Sequence, residues 1–90
     1  MKAIVSVLGS DRPGIVATVS TVLFEAGANI LDLSQTVMGN SIFAMTMWVD
    51  LDSCSVPFAD LKASLDKAAK ELGMEIRIQR EEIFNSMYRV

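Results

Sequence analysis

The 90-residue sequence has no histidine, one cysteine, two prolines and one tryptophan. Without histidine it lacks the commonest general base, the commonest transition-metal ligand, and the Ser/His and Cys/His nucleophilic arrangements. A single cysteine excludes a disulfide framework and a cysteine-based zinc site. No apolar run approaches the ~20 residues a spanning helix needs, so a membrane partner is not expected. Met1-Lys2 leads straight into an apolar stretch broken by Ser6, Gly9, Ser10, Asp11 and Arg12, without a signal-peptide pattern. A cytoplasmic setting is the expectation. Eleven acids against eight bases give a net charge of −3, which argues against a phosphate-backbone binder and hence against nucleic acid.

What is abundant is apolar surface: 51% of the residues are hydrophobic. A chain this short folds as a single domain, residues 1–90, with a large surface for its volume. Part of its apolar surface is therefore expected to meet another copy of the chain.

The apolar pattern alternates between two periods. Residues 2–9 read as a strand rich in β-formers, closed by Gly9-Ser10. Asp11-Arg12-Pro13-Gly14 leads into a helix, with Pro13 suited to its first position and Asp11 placed to cap free N–H groups. Ile15, Val19, Val22, Leu23 and Ala26 form the helical stripe, and Gly27 stops it. Residues 29–38 read as a second strand through Leu31, Leu33 and Val37 at period two. Gly39-Asn40 reads as a hairpin with positive φ at both positions. Residues 41–50 form a third strand, apolar on both faces and so expected to be covered on both. After a polar connection, Phe58, Leu61, Leu65, Ala68, Ala69 and Leu72 mark a second helix ending at Gly73. Residues 74–79 alternate as a half-exposed strand, and 81–88 read as two closing helical turns. The order is β-α-β-β-α-β: an α+β, ferredoxin-like, four-stranded antiparallel sheet with two helices on one face and a short C-terminal helical tail. Strands one and three are the most apolar and belong in the centre, giving the spatial order 4-1-3-2.

The first strand–helix junction is the most informative place. Glycines on either side of a helix start leave backbone N–H groups open to a carboxylate or phosphate. Asn29, opening the second strand, offers both a donor and an acceptor. A zwitterion needs that mixture. Turn and capping chemistry alone also accounts for these residues.

The stretch Asp11-Arg12-Pro13-Gly14-Ile15-Val16-Ala17, followed by Glu25-Ala26-Gly27-Ala28-Asn29-Ile30, resembles the ACT-domain family of small-molecule sensing modules. The likeness covers nearly the whole chain, and Ile83 to Tyr88 looks like the ending of the family's stand-alone members. The resemblance implies a homodimer or higher homo-oligomer binding an amino acid or related metabolite at subunit interfaces. It carries ligand binding to Asp11, Gly14 and Asn29, within a loop of Gly9, Ser10, Arg12 and Pro13. Serine-sensing members often have Asn where this chain has Asp11, and His where it has Gly9. A self-interface is expected to involve Met45, Met47, Trp48, Phe84 and Tyr88.

The other candidates have ordinary readings. Asp50-Leu51-Asp52 lacks calcium-loop spacing, and Lys62, Lys67 and Lys70 are balanced by Asp60, Asp66 and Glu71. Cys54 has no activating partner. Phe43 and Trp48 fall on opposite faces of one strand and cannot form a base-stacking platform. No metal, cofactor or enzymatic step is implied. The expected function is an amino-acid-binding regulatory module that signals to a protein partner. The alternative is a ligand-free dimerisation or protein-interaction domain.

Overall fold

A computed structural model describes residues 1–82. It contains β1 (Lys2–Ser10), α1 (Ile15–Ala26), β2 (Asn29–Met38), β3 (Ile42–Asp50), α2 (Phe58–Leu72) and β4 (Glu75–Arg80). The four strands form one antiparallel sheet in the order β2-β3-β1-β4. Topology and strand order are those expected from the periodicity. The closing turns expected over 81–88 lie, from residue 83 on, outside the described residues, as do Phe84 and Tyr88.

Alternation along each strand sorts its side chains between two faces. Ala3, Val5 and Val7 of β1, Phe43, Met45, Met47 and Val49 of β3, and Ile76 and Ile78 of β4 all point to the helix side and are buried. The helices meet them with Ile15, Val19, Leu23 and Ala26 of α1 and Leu61, Leu65, Ala68 and Leu72 of α2. Among the described residues no polar or charged side chain is buried, so this core is held by apolar burial and close packing alone. The expected self-interface is corrected here. Met45 and Met47 share the parity of Phe43 and Val49, lie 3% and 0% exposed beneath the helices, and offer a partner no surface. Trp48 has the opposite parity and does reach the open face.

Strand β2 departs from its expected pattern. Ile30 pairs with Val49 and Asp32 with Trp48, so Leu31 is the extra residue of a β-bulge and falls out of the period-two series. Beyond the bulge Leu33 and Val37 point to the helix side, but neither helix extends over them, and every residue from 31 to 40 is exposed. The hairpin also differs. Met38 pairs with Ile42 across three loop residues, and the positive φ angles fall on Asn40 (68°) and Ser41 (60°) instead of Gly39 and Asn40.

Both helices end in the same way. The N–H of Ala28 donates to Leu23 O and that of Met74 to Ala69 O, around left-handed Gly27 and Gly73. Gly27 is constrained further, because a Cβ there would lie 2.8 Å from the Ser53 carbonyl, in the β3–α2 connection that packs on the end of α1. Gly14 has a similar φ of 87° but open space around it. Gly27→Ala therefore meets both strain and backbone overlap, and is expected to cost about 2–3 kcal/mol. Gly14→Ala meets strain alone and should cost about 1 kcal/mol. Urea denaturation of the two variants checks the difference; equal losses would contradict it.

Candidate functional site

The loop between β1 and α1 is fastened at two points. The Asp11 N–H donates to Ser41 O at 2.8 Å, tying the loop to the β2–β3 hairpin. The Arg12 Nη1 donates to the carbonyl of Leu72, the last residue of α2, at 3.3 Å. There its charge faces the negative end of that helix. Gly9 is filled from within: a Cβ at this position would come within 2.6 Å of Met74 Sδ.

These contacts reassign several of the expected loop residues. Asp11 does not cap α1. Gly14 is the N-cap, in the left-handed conformation, with no side-chain cap and no acid in the first turn. Pro13 accordingly precedes the helix and is not its first residue. Arg12 is committed to α2, and Gly9 makes room for Met74. What remains open to a ligand is the exposed Asp11 carboxylate, Ser10, and the α1 N-terminus beside the unobstructed Gly14. The first-turn N–H groups there carry partial positive charge and have no side-chain acceptor. Together these groups could meet a carboxylate on the N–H groups and an ammonium on Asp11.

Asn29 is not part of this cluster within one chain. Strands β1 and β2 both pair antiparallel with β3 and so run in the same direction. Asn29 lies in register with Asp50 and Lys2 at one end of the sheet. Ser10, Ile42 and Met38 share the other end, where the loop begins. Eight residue steps along β3, from Ile42 to Asp50, separate the two ends, roughly 27 Å of extended chain. The Asn29 side chain is exposed and has no hydrogen-bond partner among the described residues. A site using both Asn29 and the loop must draw them from two chains.

Beside Asn29, the Lys2 ammonium lies 5.0 Å from the centroid of the Trp48 ring, and the Met1 amine pairs with Asp52. Burial pushes the Cys54 thiol up, with the Asp50 carboxylate adding to the shift, so this cysteine is held as a neutral thiol. Among the described residues no cluster of three or more His, Cys, Asp or Glu could hold a metal ion. No described helix is long and apolar enough to cross a membrane. The features missed from the sequence alone are the Arg12–Leu72 clamp and the exposed edge of β2. An arginine bonding a carbonyl sixty residues away leaves no local pattern, whereas Leu33 and Val37 were visible as a stripe but not as an uncovered one. Arg12→Ala removes a partly buried charge-assisted bond and is expected to cost about 1–2 kcal/mol. A urea midpoint indistinguishable from the parent would show that the clamp contributes nothing.

The chain matches the family model for the ACT domain over residues 2–79. It is 53% identical over 89 residues to a UPF0237 protein of Methanocaldococcus jannaschii, covering 99% of this chain and 98% of that one. The ACT domain protein from Streptococcus pneumoniae superposes with a TM-score of 0.81 at 41% identity, covering 98% of each chain. The regulatory subunit of aspartate kinase from Thermus thermophilus, in its ligand-free form, superposes with a TM-score of 0.68 at 28% identity, over 87% of this chain and 50% of that one. The match spans every element described above and includes the Asp-Arg-Pro-Gly loop and Asn29: this chain belongs to the ACT-domain family.

Proposed function

We propose that the protein is a non-catalytic regulatory module that binds an amino acid or similar zwitterion between two copies of itself and signals its occupancy to a protein partner. The observation that carries this reading is the separation of Asn29 from the β1–α1 loop. Two polar elements at opposite ends of a parallel strand pair become neighbours when a second copy adds to the sheet edge in antiparallel fashion. Strand β2 is that edge. No described strand pairs with its outer side, the Leu33 N–H donates to the neighbouring Asp32 Oδ1 at 2.8 Å, and Leu33 and Val37 are exposed along it. In a two-fold pairing of β2 with its copy, directly opposed residues must point to the same face, so the axis falls opposite a residue, and the fullest overlap of Asn29–Met38 puts it at Leu33 or Ser34. Asn29 of one copy then lies near the Met38 end of the other, close to Ser41 and Asp11.

In that arrangement the α1 N–H groups receive the ligand carboxylate, Asp11 the ammonium, and Asn29 of the second copy adds a donor and an acceptor. The absence of histidine from the sequence supports a module without catalysis. A ligand held by both copies favours the paired arrangement over the separated one, and that difference in affinity is what a partner can read. Kinship with a chain described as an aspartate kinase regulatory subunit supports the amino-acid class.

Thermal unfolding in the presence of each of the twenty amino acids tests the reading. A true ligand at a hundredfold excess over its dissociation constant should add about 2.7 kcal/mol of stability, a shift of several degrees for a chain of this size. Asn29→Ala should shrink that shift without lowering the melting temperature of the free protein. The absence of a shift with every amino acid would contradict ligand sensing and favour a ligand-free interaction domain.

A further inference from the structure

The clamp formed by Arg12 joins two helix ends beside the proposed site. Leu8 pairs with Glu75, so the start of β4 lies next to the end of β1. The N-terminus of α1 and the C-terminus of α2 therefore share one end of the sheet. Arg12 bridges them through a single bond, Nη1 to Leu72 O at 3.3 Å, just beyond the usual range of about 2.7–3.2 Å for an N–H donor. The acceptor is a neutral carbonyl. A guanidinium has five N–H donors, and among the described residues no other acceptor and no carboxylate engages this one. Behind the clamp, the N–H groups of Gly73 and Met74 close the end of α2 on Lys70 O and Ala69 O, and Met74 Sδ fills the space beside Gly9.

We propose that Arg12 is the residue that reports occupancy: the carboxylate of a bound ligand draws its guanidinium away from Leu72 and so frees the end of α2 and the start of β4 from the loop. The proposal rests on the reading above that places the ligand carboxylate at the α1 N-terminus. Arg12 stands two residues before the N-cap Gly14, at most about 7 Å of chain, so a carboxylate on the first-turn N–H groups falls within its reach. A guanidinium meets a carboxylate in a planar, two-bond pairing that a lone carbonyl does not offer. Asp11, the neighbouring acid, is taken up by the ligand ammonium and does not compete for Arg12.

A ligand shifts an equilibrium only by the difference between its affinities for the two states. The α1 N–H groups and the Asp11 carboxylate are the same whether or not the loop is tied to α2, so contacts to them alone move nothing in α2. Arg12 differs between the states, because it serves either Leu72 or the ligand. Lys70, in the last turn of α2, keeps a positive charge at that helix end after the exchange, so α2 loses its tie to the loop without unwinding. What changes is the turn at Gly73 and Met74 and, through it, β4 at the outer edge of the sheet. The exchange also fixes the chemical class that is sensed. The carboxylate is the group that is read, and an amino-acid amide, which lacks that charge, leaves the clamp closed.

Amide hydrogen exchange of the full chain, with a mixture of the twenty amino acids as the probe, tests the proposal, and thermal unfolding under the same conditions reports binding. Binding by itself raises protection or leaves it unchanged. Release of the clamp is expected to lower the protection of the Gly73 and Met74 amides about 5- to 30-fold, as for the loss of one charge-assisted bond, while the amides of β1 hold or gain protection. The matching mixture of amino-acid amides should leave Gly73 and Met74 as they are in the free protein. In Arg12→Ala, shown to be folded by circular dichroism, the same two amides should already exchange at the faster rate, and the amino acids should move them no further. A melting-temperature shift in the parent with unchanged or increased protection at Gly73 and Met74 would overturn the exchange of partners and leave the ligand site standing. Amino-acid amides that lower protection as the free amino acids do, or Arg12→Ala responding as the parent does, would overturn it too. No melting-temperature shift with the mixture would overturn the site, and the proposal with it.

Discussion

Two strands that run in the same direction on either side of a third govern much of this structure. Because β1 and β2 both pair antiparallel with β3, their starts share one end of the sheet and their ends share the other. The loop after β1 and the asparagine that opens β2 are thereby held far apart, whatever the side chains between them. No rotamer change brings them together. The fold itself requires a second chain if both are to touch one ligand, and this requirement links the local chemistry of the loop to the association of the whole molecule.

The same sheet explains where the apolar excess goes. Helices on one face cover β1, β3 and β4 and leave β2 bare beyond its bulge. The buried set is wholly apolar and needs no polar network. What is left over is divided between the β2 edge, with Leu33 and Val37, and the open face, with Leu8 and Trp48. The two surfaces differ in kind. The edge offers backbone groups that no other described strand pairs, and strand pairing gives direction to an association. The face offers side chains alone.

Much of the fold was legible in the sequence because it rests on period. Alternation identified the strands, the 3.6-residue stripes identified the helices, and Gly27 and Gly73 marked their ends. The burial of Met45 and Met47 was also implicit, since they share the parity of Phe43; treating both faces of β3 as open to a partner obscured it. Backbone conformation at the turns was less legible. The positive φ angles moved to Asn40 and Ser41 because the hairpin takes three loop residues, and the cap of α1 moved to Gly14 because the loop is held by Ser41 and Leu72 instead of by its own carboxylate. Such ties come from residues distant in sequence and leave no local signature. For the candidate site, residue types were readable and their grouping was not: Asp11, Gly14 and Asn29 look adjacent when matched to a motif, and only the strand directions show that they are not.

The most direct test is a distance that requires no ligand. One chain carries a spin label at Asp11→Cys and another at Asn29→Cys, both in a Cys54→Ser background, and electron–electron resonance is recorded on their mixture. Within one chain these positions are separated by roughly 27 Å of strand, whereas antiparallel edge pairing brings them within a few strand spacings, about 10–20 Å. The account predicts a population in that short range, which disappears when Val37→Lys is introduced into both chains. A mixture with no separation below about 20 Å would contradict a site shared between two copies.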